Sequence, residues 1–257
     1  MNKQSANNII QDIKDTMKSN GFNYDYHFEE LEYFLPFRER KEGKKFTFSE
    51  HLSGLIYSLL SNQRPWGPIA KNTGNIDKIF YGFDKDIILN TDKDIFSQGL
   101  KEIKCGNRAI DKQMDSLKYN ITKMEEIENE YGSLDNFIES NTSHHIAIEL
   151  SQGNRFKLKQ IGYALAQEYL RNTGIDTAKP DVHLRRILSS QRLGLSAGYP
   201  SEDETMKIVI QMGKDTGLNL SYIDGLLWIF CSLNYANICG AVPKCYLCKL
   251  SEYCNKK

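Results

Sequence analysis

Four cysteines occupy one short segment near the end of the chain and limit how that segment can fold. They are Cys239, Cys245, Cys248 and Cys254, with a glycine and a proline between the first two. A loop of this length can bring all four thiolates to one centre. A structural zinc site usually takes two Cys-x-x-Cys pairs held apart by a longer stretch. This segment has one such pair, with five residues between it and the outer cysteine on each side.

The wide-narrow-wide spacing of these cysteines favours an iron–sulfur cluster over a compact tetrahedral ion. A zinc ion is the main alternative, and free thiols or disulfides are the others. Residues 1–8 are polar and contain no apolar core of a signal peptide, so we expect a cytoplasmic protein whose thiols stay reduced.

The hydrophobic periodicity of the chain is helical nearly throughout. Thr47 and Glu50 form a capping box before a stripe of leucines and isoleucine at helical spacing. Further helices are predicted at 5–19, 91–104, 108–118, 121–130, 133–139, 143–151, 163–172, 181–189, 202–215 and 219–238. No alternating strand pattern is visible, and no apolar run reaches the roughly 18 residues of a membrane helix. The sequence therefore predicts an all-α protein without a membrane segment.

The charges balance overall but are unevenly distributed. Thirty-three basic and 33 acidic residues give a formal net charge of zero, yet residues 155–192 contain eight basic residues against three acidic ones. Such a segment is compatible with a surface that faces DNA, although a solvated helix face gives the same pattern.

Two further segments carry possible chemistry. Leu158 to Leu170 opens a helix at Gly162, where backbone N–H groups can hold a phosphate; an ordinary helix–helix turn is the simpler interpretation. About twenty residues later, Asp181 follows a proline at a helix start, where its carboxylate can act in catalysis or simply cap the helix.

In this order, the segments resemble the helix-hairpin-helix (HhH-GPD) DNA glycosylase superfamily, and specifically its iron–sulfur, endonuclease III-like branch. Leu59 to Gln63 is similar to the early helix end of that family, and Leu158 to Ala166 to the hairpin. Pro180 to His183 is similar to the catalytic-aspartate motif, and the cysteine segment to the cluster loop. The resemblance covers about residues 46–254.

The resemblance implies two helical domains with a DNA-binding cleft between them. The central domain spans 46–171 and contains the hairpin; the second combines 1–45 with 172–257 and carries the cluster loop at 239–254. The aromatic segment 22–45 has no counterpart in the family and is expected to pack on the body of the protein. The partner implied is double-stranded DNA with a lesion or mismatch, bound by a nucleoid-associated monomer.

The resemblance also implies roles for individual residues. Asp181 is the catalytic residue, and the four cysteines hold a 4Fe-4S cluster. The expected DNA-binding residues are Asn62, Gln63, Gln160, Gly162, Tyr163 and Arg185.

Three departures from the family pattern matter. The first two cluster cysteines are one residue closer than usual, and Gln160 replaces the first glycine of the hairpin. Most importantly, Ala164 stands where a glycosylase/lyase has its lysine, and alanine cannot form a Schiff base. We therefore expect a monofunctional glycosylase, in which Asp181 activates water.

Three alternatives stay open. The protein can be a glycosylase/lyase that uses Lys157 or Lys159 as its nucleophile. It can be a non-catalytic protein that holds the cluster and binds DNA, or a zinc-binding module without affinity for DNA.

Overall fold

The computed structural model describes residues 3–24 and 35–256. Within these ranges all regular structure is helical, so the prediction of an all-α protein is confirmed. None of the described helices is long and apolar enough to cross a membrane. Four aromatic residues of the segment that was expected to pack on the body, Tyr26, Phe28, Tyr33 and Phe34, lie outside the described residues.

The described helices are numbered in chain order. They are α1 (Lys3–Ser19), α2 (Leu35–Lys41), α3 (Phe48–Leu60), α4 (Gly67–Ala70), α5 (Thr73–Ile79), α6 (Lys85–Asn90), α7 (Lys93–Glu102), α8 (Ile110–Tyr131), α9 (Leu134–Glu139), α10 (Ser143–Ser151), α11 (Tyr163–Asn172), α12 (Val182–Leu188), α13 (Glu202–Thr216) and α14 (Leu220–Cys231). Short 3-10 helices occur at Tyr81–Phe83, Cys245–Leu247 and Leu250–Glu252.

The chain divides into two compact units. Residues 39–175 form the central unit, and residues 1–38 with 176–257 form the terminal unit. The boundary between residues 38 and 39 falls inside α2.

Helix α3 provides the middle of the core of the central unit. Its start is the predicted capping box, because Thr47 Oγ1 accepts from the Glu50 N–H while the Glu50 carboxylate accepts from the Thr47 N–H. The apolar stripe Leu52, Leu55, Ile56, Leu59 and Leu60 is fully buried. Burial of each such side chain stabilises the fold by about 1.5–3 kcal/mol.

Helix α11 packs against α3 at Gly54. A Cβ atom there would lie 3.2 Å from the Thr173 side chain and 3.4 Å from that of Asn172. The absence of a side chain at Gly54 therefore allows the close approach of α3 to the end of α11.

A buried polar network also holds the central unit together. The Asp135 carboxylate, only 2 % exposed, accepts hydrogen bonds from Arg40 Nη2 at 2.6 Å, the Phe46 N–H at 2.7 Å and His51 Nε2 at 3.0 Å. His51 Nδ1 lies 2.7 Å from the Tyr169 hydroxyl. Because Asp135 needs a donor, His51 donates from Nε2 and accepts from Tyr169 at Nδ1.

The network shifts the pKa values of its members. Burial alone would raise the pKa of Asp135, but hydrogen bonds from His51, Arg40 and the Phe46 amide outweigh it and hold this pKa well below its usual range. Burial lowers the pKa of His51, against the opposing effect of Asp135. The network therefore contains an ionised aspartate paired with arginine, next to a neutral histidine.

The terminal unit brings both parts of the chain together. Helix α1 packs against α13 and α14, and its apolar face of Ala6, Ile9, Ile10, Ile13 and Met17 is buried. At the start of α14, Asp176 Oδ1 accepts from the Ser221 N–H at 3.0 Å and from the Ser221 hydroxyl at 2.8 Å.

Two helices of the structure, α8 and α14, differ by more than two residues at a boundary from the predicted helices. Helix α8 is continuous where two helices were predicted, because Asn120 at the expected break is fully buried and its side chain bonds outside the helix. Helix α14 ends at Cys231 instead of reaching residue 238. The following segment turns back, so that the N–H groups of Ile238 and Cys239 donate to the Phe230 carbonyl.

Candidate functional site

The hairpin of the central unit consists of α10, a loop over 152–162, and α11. Asn120 of α8 fixes this loop: its Oδ1 accepts from the Lys159 N–H at 2.7 Å, and its Nδ2 donates to the Lys159 carbonyl at 3.0 Å. The Leu158 N–H donates to the Leu150 carbonyl at 2.8 Å. Three hydrogen bonds therefore position the residues that precede α11.

The start of α11 offers backbone donors to an anion. Gly162 is its N-cap and has no side chain with which to cap the helix. The first N–H groups of a helix have no intrahelical acceptor, and the helix dipole makes this end attractive to a phosphate. Tyr163, by contrast, is 6 % exposed, and its hydroxyl lies between His144 Nδ1 at 2.8 Å and Gln167 Nε2 at 2.9 Å. The side chain of Tyr163 is therefore buried, and only its backbone lies at the open start of α11.

Gln160 adopts the left-handed conformation that favours glycine, with φ +62°. We expect Gln160→Gly to raise the free energy of unfolding by about 0.5–1 kcal/mol, because the relief of backbone strain exceeds the entropy gained by the unfolded chain. Urea unfolding of the two proteins measures this difference.

Gln152 is a matched control for this substitution, because it is exposed, lies in the same loop and has φ −132°. Gln152→Gly should lower the free energy of unfolding by about 0.5–1 kcal/mol. Equal changes in the two variants would contradict the strain argument.

The turn after α3 presents Gln63 on the surface. Gln63 is exposed with φ +49°, and Asn62 beside it is half-buried. The carbonyl of Leu59 accepts from Asn107 Nδ2 at 2.9 Å and Gln113 Nε2 at 3.0 Å. These bonds hold the end of α3, so Gln63 projects from a well-supported turn.

An aromatic cluster lies next to this turn. Tyr57 makes an edge contact with Trp66, with 6.3 Å between ring centroids, and a tilted contact with Phe83 at 6.0 Å. The Tyr57 hydroxyl donates to Asp77 Oδ1 at 2.8 Å. Burial, together with this hydrogen bond, raises the pKa of Tyr57. Tyr57 and Trp66 are both half-buried in this cluster.

Asp181 is the N-cap of α12 in the terminal unit. Its Oδ1 accepts both capping bonds, from the His183 N–H at 2.7 Å and the Leu184 N–H at 3.2 Å. The side chain is half-buried, and the second oxygen, Oδ2, takes no part in the cap. Oδ1 therefore caps the helix, and Oδ2 is left for a further role.

The neighbours of Asp181 have structural contacts. Arg185 Nε donates to the Pro200 carbonyl at 2.8 Å, and the guanidinium lies over the Tyr199 ring, 4.7 Å from its centroid. Burial lowers the pKa of His183, against the opposing effect of Asp181. These contacts support the conformation of α12.

The structure places Ala164 in the first turn of α11, where it supplies no amine. The two alternative lysines precede the helix, and both are exposed. Lys159 Nζ lies over the ring of Tyr119 on α8, 4.2 Å from its centroid.

The four cysteines of the C-terminal segment line one small cavity of about 20 Å³. The rest of its lining is Ile187, Arg192, Leu193, Ile238, Pro243 and Leu250. Within the described residues, no group of three or more Cys, His, Asp or Glu side chains is placed to hold a metal ion. The cavity therefore gathers the predicted ligands, while the 4Fe-4S cluster stays a prediction.

The segment after the last cysteine is tied to the turn that follows α12. The Asn255 N–H donates to the Arg192 carbonyl at 2.7 Å, and Asn255 Nδ2 donates to the Ser190 carbonyl at 2.8 Å. Gly194 has φ +63°, and a Cβ atom there would lie 2.6 Å from Asn255 Nδ2. Glycine is therefore required for this contact.

Comparison with solved structures identifies the fold. A crystal structure of 8-oxoguanine DNA glycosylase from Methanocaldococcus jannaschii matches with a TM-score of 0.59 and 20 % identity, over 86 % of this chain and 92 % of that one. The M. jannaschii 8-oxoguanine glycosylase/lyase in complex with a 15mer DNA containing 8-oxoguanine matches with a TM-score of 0.56 and 21 % identity, over 86 % and 95 % of the two chains. No family model and no curated protein matches the chain.

This chain has a DNA glycosylase fold. This fold agrees with the fold that the resemblance implies, while membership of the helix-hairpin-helix superfamily stays a prediction. Assignment to the endonuclease III-like branch stays a prediction.

Sequence reasoning missed one residue of the cysteine cavity of this glycosylase fold. Arg192 is 6 % exposed and lines the cavity together with the four cysteines. The excess of basic residues over 155–192 includes Arg192, but nothing in that pattern distinguishes it from its neighbours.

Proposed function

We propose that this protein is a monofunctional DNA N-glycosylase that removes a damaged or mispaired base from double-stranded DNA. The observation that carries the proposal is the placement of Asp181: a half-buried carboxylate that uses only Oδ1 to cap α12, in a chain with a DNA glycosylase fold.

Access to a base in a duplex requires its extrusion from the stack, which costs a few kcal/mol. In this proposal Gln63 and Asn62, on the turn held by Asn107 and Gln113, fill the space that the base leaves. The N–H groups at the start of α11 bind a backbone phosphate, and the loop that Asn120 fixes keeps them in place.

Cleavage of the glycosidic bond leaves positive charge on the sugar. Asp181 would stabilise this charge electrostatically and accept a proton from the attacking water through Oδ2. The capping bonds to Oδ1 fix the orientation of the carboxylate before the substrate arrives. Because this orientation exists in the free protein, little reorganisation is needed during the reaction.

Two observations favour water over an amine as the nucleophile. Ala164 leaves the first turn of α11 without a lysine, and the Lys159 ammonium stacks on Tyr119. An amine nucleophile would form a Schiff base and lead to strand cleavage. The M. jannaschii enzyme is described as a glycosylase/lyase, so we propose a difference in chemistry within a shared fold.

The proposal includes a 4Fe-4S cluster held by Cys239, Cys245, Cys248 and Cys254. The fit rests on one cavity lined by all four thiols, by apolar side chains, and by Arg192, whose positive charge suits an anionic, thiolate-ligated group. When bound, the cluster supplies a covalent cross-link and a redox couple. The surrounding chain holds the segment through the Asn255 bonds and through the Lys249 N–H, which donates to Thr16 Oγ1 at 3.0 Å.

A panel of duplexes tests the function. Each duplex carries one lesion (8-oxoguanine, an alkylated purine, uracil, or a thymine mismatch), and half of each reaction is treated with alkali. We expect strand cleavage of at least one substrate after alkali treatment only. Cleavage without alkali, or efficient covalent trapping of the protein on DNA by borohydride, would refute the monofunctional mechanism.

A further inference from the structure

An exposed tyrosine lies on the loop that follows α12 in the terminal unit. Tyr199 is 54 % exposed, yet hydrogen bonds fix the loop that carries it. The Ser190 N–H donates to the Gly198 carbonyl at 2.9 Å, and the Gly198 N–H donates to Ser196 Oγ at 3.3 Å. The Ser196 hydroxyl in turn donates to Glu204 Oε1 of α13 at 2.8 Å. The exposed ring of Tyr199 is therefore carried by a well-supported backbone.

Arg185 of α12 is stacked on this ring and bonded to the same loop. Its guanidinium lies 4.7 Å from the centroid of the Tyr199 ring, and its Nε donates to the Pro200 carbonyl at 2.8 Å. Within the ranges that the structure describes, the bond to Pro200 is the only hydrogen bond or ion pair of the Arg185 side chain. The two Nη groups are therefore available to a ligand, and their planar fork matches the geometry of a phosphate.

The stacked pair lies one helical turn from Asp181. The Arg185 N–H donates to the Asp181 carbonyl at 3.0 Å, so the two side chains are neighbours on one face of the helix. A turn of α-helix rises about 5.4 Å, so a DNA strand whose sugar reaches Asp181 passes within reach of Arg185. Val182, beside Asp181, is 50 % exposed and adds apolar surface at this point.

The acidic residues that follow the loop have partners of their own. Glu202, Asp203 and Glu204 form the first turn of α13, where the helix dipole stabilises negative charge. Glu204 accepts from the Ser196 hydroxyl, and Asp203 pairs with Lys207 at 2.7 Å. These carboxylates therefore leave the guanidinium above the tyrosine ring open to an external anion.

We propose that Arg185 binds a phosphate of the lesion-bearing strand beside the extruded nucleotide, and that Tyr199 is the positioning residue that holds its guanidinium. This inference rests on the proposed function, which places Asp181 at the sugar of that nucleotide. The stack on Tyr199 and the bond to Pro200 restrict the Arg185 side chain before DNA arrives. Less conformational entropy is then lost when the phosphate binds.

DNA binding as a function of salt tests this contact. The probe is a duplex with a stable abasic-site analogue, and fluorescence anisotropy gives its affinity between about 50 and 200 mM salt. Arg185→Met should weaken binding about tenfold and reduce the slope of log K against log salt by about one, because one phosphate contact is lost. Tyr199→Ala should have nearly the same effect although it removes no charge, whereas Tyr199→Phe keeps the ring and should bind like wild type.

Lys214→Met is the matched control for the loss of a positive charge. Lys214 is an exposed lysine in the last turn of α13, in the same unit, and its replacement should leave affinity and salt slope unchanged. The double variant of Arg185→Met and Tyr199→Ala should bind no more weakly than Arg185→Met, because both changes remove one contact. If Arg185→Met fails to fold, Tyr199→Ala carries the test, since an exposed ring contributes little to the core.

The remaining outcomes contradict the inference. Wild-type affinity and salt slope in Arg185→Met and Tyr199→Ala, or an equal loss in Lys214→Met, would overturn it and leave the proposed function intact. Additive losses in the double variant would overturn the positioning role of Tyr199. A wild-type protein without affinity for the duplex would overturn the proposed function and the inference together.

Discussion

Replacement of Asp181 by asparagine is expected to lower the single-turnover rate of base excision by about 10²–10⁴-fold while DNA binding and folding persist. Asparagine caps a helix as well as aspartate does, so the hydrogen bonds at the start of α12 remain. What the variant loses is the negative charge opposite the sugar and the oxygen that accepts a proton. Excision kinetics on a single-lesion duplex measure this loss.

The structure offers a matched control for this substitution. Asp84 is the N-cap of α6, and its Oδ1 likewise accepts two backbone bonds, from Asp86 at 2.9 Å and Ile87 at 3.0 Å. Asp84→Asn should excise at the wild-type rate. Equal excision by wild type and Asp181→Asn would instead identify a protein in which this carboxylate only caps the helix.

The largest expected effect on stability belongs to Asp135. Asp135→Ala should lower the free energy of unfolding of the central unit by about 3–5 kcal/mol, because the buried Arg40 then loses its buried carboxylate partner and keeps only the partly exposed Glu139 as a counter-charge. His51 and the Phe46 amide lose their acceptor as well. Urea unfolding at neutral pH measures the change.

Asp115→Ala controls for the loss of an aspartate from an ion pair, because Asp115 pairs with Lys93 on the surface with its side chain 63 % exposed. This variant should unfold at the wild-type urea concentration. A similar loss of stability in both variants would contradict the importance of burial.

The stabilising contribution of Asp135 is expected to decrease as the pH falls into the strongly acid range. Because the folded pKa of Asp135 is lowered, its contribution is complete above the unfolded value of about 3.8 and is lost as the pH falls through the folded value. The difference in stability between wild type and Asp135→Asn should therefore shrink in strong acid and stay constant from pH 5 upwards. A constant difference throughout the acid range would contradict this linkage.

Features set by neighbouring residues were predictable from the sequence, and those set by distant contacts were not. The Thr47–Glu50 capping box predicted the start of α3, since both partners lie within one turn. The continuity of α8 depends on Asn120 reaching Lys159, and the end of α14 depends on the return of the chain to Phe230. Such tertiary contacts override local propensity and leave no periodic signal.

In the candidate site too, features set by neighbouring residues were predictable, and those set by distant contacts were not. Spacing alone indicated that four cysteines could share a centre, because one loop carries all four. Arg192 comes from the turn after α12, and only the folded chain brings it into the lining of the same cavity. The sequence offered the whole of Tyr163 as a DNA contact, whereas the fold buries its ring and leaves only its backbone at the start of α11.

The terminal unit is formed by two segments that are far apart in the sequence, and this separation affects how the unit folds during synthesis. Helix α1 leaves the ribosome before α13 and α14, which cover its apolar face and are translated only after residues 39–175. At about 5–20 residues per second this delay lasts roughly ten to forty seconds. Throughout that time the nascent amino-terminal helix has no native surface on which to fold, whereas the central unit can already be complete.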